Sequence, residues 1–196
     1  GCGIGDTELL LAPRVGEVVG VDFSPAAIRQ AREDADAAGV RNARFIEGTA
    51  ADAPPGDYDA IVAIFFLHHL PEEELRAAPG ALRALLRGGG AFYSLDPSRH
   101  RLSGAVGSLL IPHLMRKYQS PGERELVRKE TEALFRGAGF ETRSGFYDFV
   151  SSPLAGLFPG WAAGYRAARA FDEALVRIPG LRLLGSNFEL IARKVR

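Results

Sequence analysis

The chain begins with Gly1-Cys2-Gly3-Ile4-Gly5, followed at once by Asp6-Thr7-Glu8-Leu9-Leu10, a run able to form a helix. Glycine lacks a Cβ, so a loop built this way permits positive φ and lets another molecule touch its backbone. A helix starting behind the loop offers unpaired N–H groups to an anion such as a carboxylate. The pattern is G-x-G-x-G. The dinucleotide fingerprint G-x-G-x-x-G requires glycine where Asp6 stands and is not met. Any tight turn can use such glycines, so the loop gains meaning from Val18-Val19-Gly20-Val21-Asp22. That is an apolar strand candidate ending in a carboxylate at the spacing where a nucleotide's ribose would lie. Asp22 can accept hydrogen bonds from two ribose hydroxyls. The alternative is a solvated carboxylate at a strand end.

The histidines form the second group. His68-His69 invites a metal or proton-transfer role, but no Cys or acidic partner stands at ligand spacing, so no metal site is expected. His100 and His113 lie in one later stretch with Tyr93, Asp96 and Tyr118. His68, His69, His100 and Tyr118 are candidates to take a proton from a hydroxyl or an activated carbon. Each could equally pack or cap a helix, and spacing selects none of them.

Positioning these residues takes alternating strands and helices. A short helix over 7–12 ends at Pro13, and Glu17–Asp22 is a valine-rich strand. Ser24 stands where an N-cap belongs, with Pro25 at the first helical position, and the helix runs to about Ala38 before Gly39. Ala43–Glu47 and Tyr58–Ile64 are strands. Glu72–Leu86 is helical in pattern but broken near Pro79-Gly80, and Gly88–Gly90 turns the chain into a strand over Ala91–Leu95. Strand–helix alternation means parallel strands joined by crossovers, with ligands at their carboxyl ends. Beyond Asp96 the rhythm changes. Arg101–Tyr118 is apolar and helical in character, Pro121–Arg136 suits one or two amphipathic helices, and strands are expected near Glu141–Phe146 and Asn187–Arg193, with a helix closing Ser151–Arg177.

The chain has 196 residues, enough for one domain with a sizeable core. Its 24 basic and 24 acidic residues cancel, which gives no electrostatic grip on nucleic acid. The single cysteine, Cys2, excludes an intramolecular disulfide and suits the cytoplasm. No apolar run is long enough to span a bilayer, so no stable membrane insertion is expected.

Gly1–Gly5, Val21-Asp22-Phe23-Ser24-Pro25, Tyr58-Asp59-Ala60-Ile61-Val62 through His68-His69-Leu70, and Leu86-Arg87-Gly88-Gly89-Gly90 together resemble the class I methyltransferases that use S-adenosyl-L-methionine. The resemblance runs in order and spacing through roughly the first half of the chain, plus the final strand. It is nearest the small-molecule branch that contains the ubiquinone- and menaquinone-biosynthesis methyltransferases. It implies an α/β fold: a Rossmann-like, doubly wound, mostly parallel sheet with an antiparallel C-terminal strand. It implies one methyltransferase domain over 1–196, with a cofactor core at 1–96, lid and substrate-region helices with one core strand at 97–185, and the final strand at 186–196. Family members carry a central strand ahead of the glycine loop. The chain opens directly on the loop, so it is expected to be a fragment that lacks that strand, is unstable alone and binds the cofactor poorly.

The implied cofactor residues are Gly1, Cys2, Gly3, Gly5, Asp22, Phe23, Thr49, Ala50, Ile64 and Phe65. The family commonly has an acidic residue where Thr49 stands. The Thr49 hydroxyl could accept from the adenine amino group, the Ala50 N–H could reach a ring nitrogen, and Asp52 could replace the missing carboxylate. Phe65 and Phe66 could offer an aromatic face to the sulfonium or simply fill the core. Apolar and aromatic residues between Leu109 and Trp161, among them Met115, Phe146, Tyr147 and Phe158, point to a small, partly apolar acceptor such as a quinone, polyketide or lipid precursor.

Three other functions compete. Amino-directed DNA methyltransferases carry Asn/Asp-Pro-Pro-Tyr/Phe where this chain has Ile64-Phe65-Phe66-Leu67. A nicotinamide-dependent oxidoreductase is disfavoured by Asp6. A methyltransferase-like protein that binds the cofactor or a partner without catalysis is the remaining alternative, and Thr49 is a departure that would suit it.

Overall fold

The computed structural model describes residues 1–101 and 124–195. They form two compact units, Gly1–Gly56 and Asp57–Arg196.

In the first unit, β1 (Val18–Asp22) and β2 (Ala43–Glu47) pair in parallel, from Val18 opposite Ala43 to Asp22 opposite Glu47. The crossover between them is α2 (Pro25–Ala37). Its start follows from chemistry: the Ser24 hydroxyl accepts the Ala27 N–H at 3.3 Å, and Pro25 supplies a preset φ at the first helical position. Its end follows from Gly39 at φ +68°. Ile28, Ala31 and Ala35 recur on one face and bury against Phe45. Preceding β1 are α1 (Asp6–Leu11) and a 3-10 turn over Ala12–Arg14 that contains Pro13. The Asn42 amide ties this turn down by donating to the carbonyls of Ala12 and Val15 at 2.9 and 3.0 Å.

In the second unit, β3 (Tyr58–Ile64), β4 (Leu86–Pro97), β5 (Phe140–Asp148) and β6 (Asn187–Lys194) form a sheet in the order β3-β4-β6-β5. β3 and β4 are parallel, and β6 runs antiparallel to both β4 and β5. The mixed α/β architecture, parallel strands and antiparallel final strand agree with the sequence. The helices are α3 (Glu72–Leu85), α4 (Arg128–Gly137), α5 (Ser151–Leu157) and α6 (Ala162–Leu175). Phe92 stacks on Phe135 with centroids 4.9 Å apart, and Phe140, Phe188 and Leu190 complete the core around them. No described helix is long and apolar enough to cross a membrane.

Two local expectations are corrected. α3 is not broken at Pro79; it runs through it, with the ring fully buried. Proline deprives the carbonyl four residues back of its donor, and burial of the ring offsets that loss. Gly88–Gly90 do not precede β4 but lie within it, as a bulge. Tyr58 pairs with Leu86 and Ala60 with Ala91, so the glycines are the surplus on one side of the ladder. Gly90 suits the bulge, because a Cβ would stand only 3.0 Å from the carbonyl oxygens of Arg87 and Tyr58, tighter than most Cβ contacts.

Candidate functional site

In the first unit, three segments converge at the carboxyl ends of β1 and β2. The Cys2 N–H donates to the Val21 carbonyl at 2.9 Å, which lays the glycine loop against the end of β1. The Gly3 N–H donates to Asp22 Oδ2 at 2.8 Å, and the Ser24 N–H donates to Asp22 Oδ1 at 2.9 Å. The Gly48 N–H donates to the Asp22 carbonyl at 2.9 Å, which draws in the segment after β2. Asp22 is only 8% exposed and is the hub of this arrangement. Gly1, Cys2, Gly3, Gly5, Asp22 and Phe23 are thereby brought together, with Thr49 and Ala50 on the adjoining segment. Phe23 projects, 79% exposed, from the turn after Asp22.

The glycines divide by role. Gly5, at φ +85°, caps α1, and a Cβ there would come within 2.8 Å of the Phe45 ring. Gly5 is therefore demanded by the packing of the unit. Gly3, at φ +55°, has nothing within 4 Å of a built Cβ. Its open side is where another molecule could lie against the backbone. The loop residues, the Asp22 carboxylate and the exposed Phe23 ring fit an adenosyl group with an amino-acid tail.

The structure adds constraints that spacing did not disclose. Both Asp22 oxygens already accept a backbone N–H, which leaves about half of its roughly four lone-pair sites for a ligand. Thr49 is also engaged: its hydroxyl donates to Asp52 Oδ2 at 2.8 Å and accepts the Ala51 N–H at 3.3 Å. The Thr49 N–H donates to the same Asp52 oxygen at 2.8 Å. The pair forms a capping box on the 3-10 turn Ala50–Asp52, and these bonds hold the Asp52 carboxyl below its usual range. Burial pushes the Cys2 thiol up to about 11, so it stays protonated near neutral pH. Glu8, which the sequence did not single out, is raised chiefly by burial, with Asp6 and Asp22 adding repulsion.

In the second unit, chemistry gathers where β3 and β4 end. Ile64 closes β3. Phe65 follows at φ +52°, 42% exposed, with its N–H donated to the Leu95 carbonyl at 2.8 Å. A bulky residue in the left-handed region is strained, and such strain concentrates at functional sites. A 3-10 turn over Leu67–His69 comes next. His68 is buried, and its Nδ1 lies 3.0 Å from Oδ1 of the fully buried Asp96. The His68 N–H reaches the same oxygen at 3.3 Å. The Phe65 ring meets His68 edge-on with centroids 6.5 Å apart, and His69, exposed, lies 4.0 Å from His68 ring to ring.

The remaining candidates separate. His100 is exposed in the turn after β4, its N–H donated to Ser98 Oγ at 3.4 Å. Tyr118, His113 and the apolar run from Leu109 to Met115 lie outside the described residues. Tyr93 donates to Glu189 at 3.4 Å, and burial together with that carboxylate pushes its phenol up to about 12, which unfits it as a base. Of the aromatic residues assigned to the acceptor region, Phe146 packs against the core and Phe149 is buried. Tyr147 lies beneath the Arg169 guanidinium at 4.2 Å. Leu157, Phe158 and Trp161 are each about half exposed.

Comparison with known proteins finds relatives of this chain. Residues 1–90 match the family model of the methyltransferase domain. The uncharacterized methyltransferase YcgJ of Bacillus subtilis is 31% identical over 137 residues, covering 69% of this chain and 53% of that protein. The demethylmenaquinone methyltransferase of Thermus thermophilus is 36% identical over 98 residues, covering 48% of this chain and 43% of that protein. The chain thus spans about half the length of these curated relatives. Among solved structures, that of YcgJ gives a TM-score of 0.65 at 23% identity, covering 100% of this chain and 90% of that one. Magnesium protoporphyrin IX methyltransferase from Synechocystis, solved with bound SAH, gives 0.64 at 17% identity, covering 99% and 71%. At these identities the solved structures share the fold.

Proposed function

We propose, for a chain that belongs to the class I methyltransferases using S-adenosyl-L-methionine, that it moves a methyl group to a small, partly apolar acceptor. The observation that carries this reading is Asp22. Its buried carboxylate is fixed by the N–H groups of Gly3 and Ser24 at 2.8 and 2.9 Å, beside a glycine whose missing side chain leaves open space. When bound, the cofactor supplies a methyl group on a positively charged sulfur that is already a good leaving group. What remains for the chain is to bind, orient and exclude water. Asp22 is assigned to the ribose hydroxyls, Gly1–Gly5 to the methionine portion, and Phe23, Thr49 and Ala50 to the adenine. Ile64 and Phe65, in the second unit, carry a sulfonium role only as the family resemblance implies it, the exposed Phe65 ring by cation–π attraction.

On this reading 1–196 is one methyltransferase domain working in the cytoplasm, with a cofactor core at 1–96, a lid region at 97–185 and a closing strand at 186–196. The quinone-directed relative from Thermus thermophilus supports a quinone-like acceptor. The test is calorimetric titration with S-adenosylmethionine, followed by transfer of a radiolabelled methyl group to a panel of quinols, phenols and lipid precursors. Tight binding with transfer to apolar acceptors is expected. Tight binding with no transfer across the panel would instead assign a non-catalytic role, and failure to bind would end the reading.

A further inference from the structure

We propose that the second unit carries a docking face for an anionic lipid surface, built on α6 and the turns at its two ends. The face lies wholly within that unit. It goes beyond methyl transfer and does not depend on it.

A helix at a protein surface turns its apolar side chains inward and its charged ones toward water. α6 departs from this. Its Asp172 is fully buried and accepts the N–H groups of Val150 at 3.1 Å and Ser151 at 2.8 Å. Its Arg169 turns back to donate to the Tyr147 carbonyl at 2.8 Å. Phe171, next to Asp172, is 56% exposed. At 3.6 residues per turn, Arg166 and Phe171 stand at the two margins of the outward arc, with the exposed Ala163, Ala167, Ala170 and Ala174 between them. The turns at either end extend the apolar character. Trp161 caps the helix, and the exposed Phe158 ring meets it edge-on with centroids 6.1 Å apart. After the helix, the Ile178 N–H donates to the Leu175 carbonyl at 3.0 Å, and Ile178 and Leu183 are each about half exposed. Large apolar side chains gathered in water in this way mark an interaction surface.

Charge selects the occupant. Arg166, Arg177 and Arg182 are exposed, and their guanidinium groups have no ion-pair partner among the described residues. Glu173, the only exposed acid between residues 157 and 184, already pairs with Arg169 at 3.7 Å. A second copy of the chain fits this face poorly. A two-fold contact sets the same patch against itself, so the uncompensated arginines would meet their own images. An acidic protein could answer the charge, but it would need a matched pocket for each protruding ring. The headgroup layer of an anionic bilayer answers both. It attracts arginines, and it yields around each ring, so that Phe158, Trp161 and Phe171 sink to the acyl boundary while the guanidinium groups stay among the phosphates. No described helix is long and apolar enough to cross a membrane, so the face rests on the surface.

The chain's single tryptophan is Trp161, so its fluorescence reports on the face directly. The full chain is titrated with vesicles of phosphatidylcholine alone and of phosphatidylcholine mixed with phosphatidylglycerol. With the anionic vesicles, Trp161 emission is expected to shift to the blue and to be quenched by brominated acyl chains, and added salt to reverse both. With phosphatidylcholine alone neither is expected. Arg166→Ser, Arg177→Ser and Arg182→Ser should each weaken vesicle binding about fivefold, and Phe171→Ser about tenfold. These are exposed positions, and unchanged thermal melting checks that each variant is folded. Leu10→Ser, which removes an exposed apolar side chain from the first unit, should bind as wild type does. The proposal is overturned by no shift with anionic vesicles, by equal shifts with both vesicles, or by arginine variants that bind as tightly as wild type. A blue shift on raising protein concentration alone, with a rise in mass by sedimentation, would give the face to a second copy and overturn it too. An equal shift with poly-L-glutamate would give it to an acidic protein, with the same result.

Discussion

Replacing Asp22 with alanine removes two kinds of interaction at once, and the structure allows each to be sized. The first is internal. The Gly3 and Ser24 N–H groups lose a charged acceptor at 2.8 and 2.9 Å. A hydrogen bond to a charged group contributes about 1.5–3 kcal/mol, so two set an upper range of about 3–6 kcal/mol. Water entering the vacated space recovers part of this, and a loss of about 3 kcal/mol is expected. That is a large share of a domain's total stability. The second is the ligand. One or two ribose bonds to the remaining lone pairs, at about 1.5–3 kcal/mol each, correspond to at least about tenfold in Kd, rising beyond about a hundredfold if both are lost. Asp22→Asn separates the two effects. It keeps the shape and one acceptor oxygen but turns an NH₂ group toward one of the two backbone donors, so it should fall between wild type and alanine in both stability and affinity. The assay is calorimetric titration with S-adenosylmethionine beside thermal unfolding of the same samples. An alanine variant with unchanged melting and a Kd within about threefold of wild type would refute the reasoning, since threefold is less than one such bond contributes.

Gly5→Ala should destabilise by about 2–4 kcal/mol in denaturant unfolding, from left-handed strain together with a Cβ only 2.8 Å from Phe45. Gly3→Ala, strained but uncrowded, should be milder. At Phe65, with φ +52°, glycine should be more stable than alanine by about 1 kcal/mol in thermal melts, reversing the usual order of the two. Alkaline pH should also weaken the fold. The Cys2 thiol titrates near 9 when unperturbed and at about 11 in the folded chain. Between those values the folded chain holds a proton that the unfolded chain has lost, so stability falls as pH rises from about 9 toward 11. Tyr93 extends the same trend from about 10 to 12. Denaturant midpoints across this range should decline less steeply for Cys2→Ala.

The parts of the fold that the sequence disclosed were those whose cause is local. Tyr58–Ile64 is a largely apolar run, and Ala43–Glu47 centres on Phe45 and Ile46 between charged neighbours; the strands keep those bounds. Ser24 and Pro25 act through bonds and dihedrals within one helical turn, so their effect can be read without knowing what surrounds them. At Pro79 the structure departs from the sequence expectation for the opposite reason. Its local signal is to stop a helix, and what overrides it is burial of its ring, which depends on residues distant in the chain. The bulge at Gly88–Gly90 likewise depends on which residues of β3 lie opposite.

The candidate site divides along the same line. Spacing marks Asp22, at the end of a strand behind the glycine loop, and the family resemblance marks Thr49, whereas spacing does not tell His68 from the other histidines. What spacing does not carry is how each group's hydrogen-bonding capacity is shared. Asp22 spends half of it on Gly3 and Ser24, and Thr49 spends its proton on Asp52. The Thr49–Asp52 cap is legible in the chain, since a hydroxyl residue followed three positions later by an acid is a known helix-start pattern. The His68–Asp96 pair was half legible. Two parallel neighbouring strands must bring their carboxyl ends together, so a residue just past β3 and one near the end of β4 are natural partners across 28 positions. That inference needs the pairing of β3 with β4 before it needs any side chain. Topology therefore had to be settled first, and only then could a histidine be told from its neighbours.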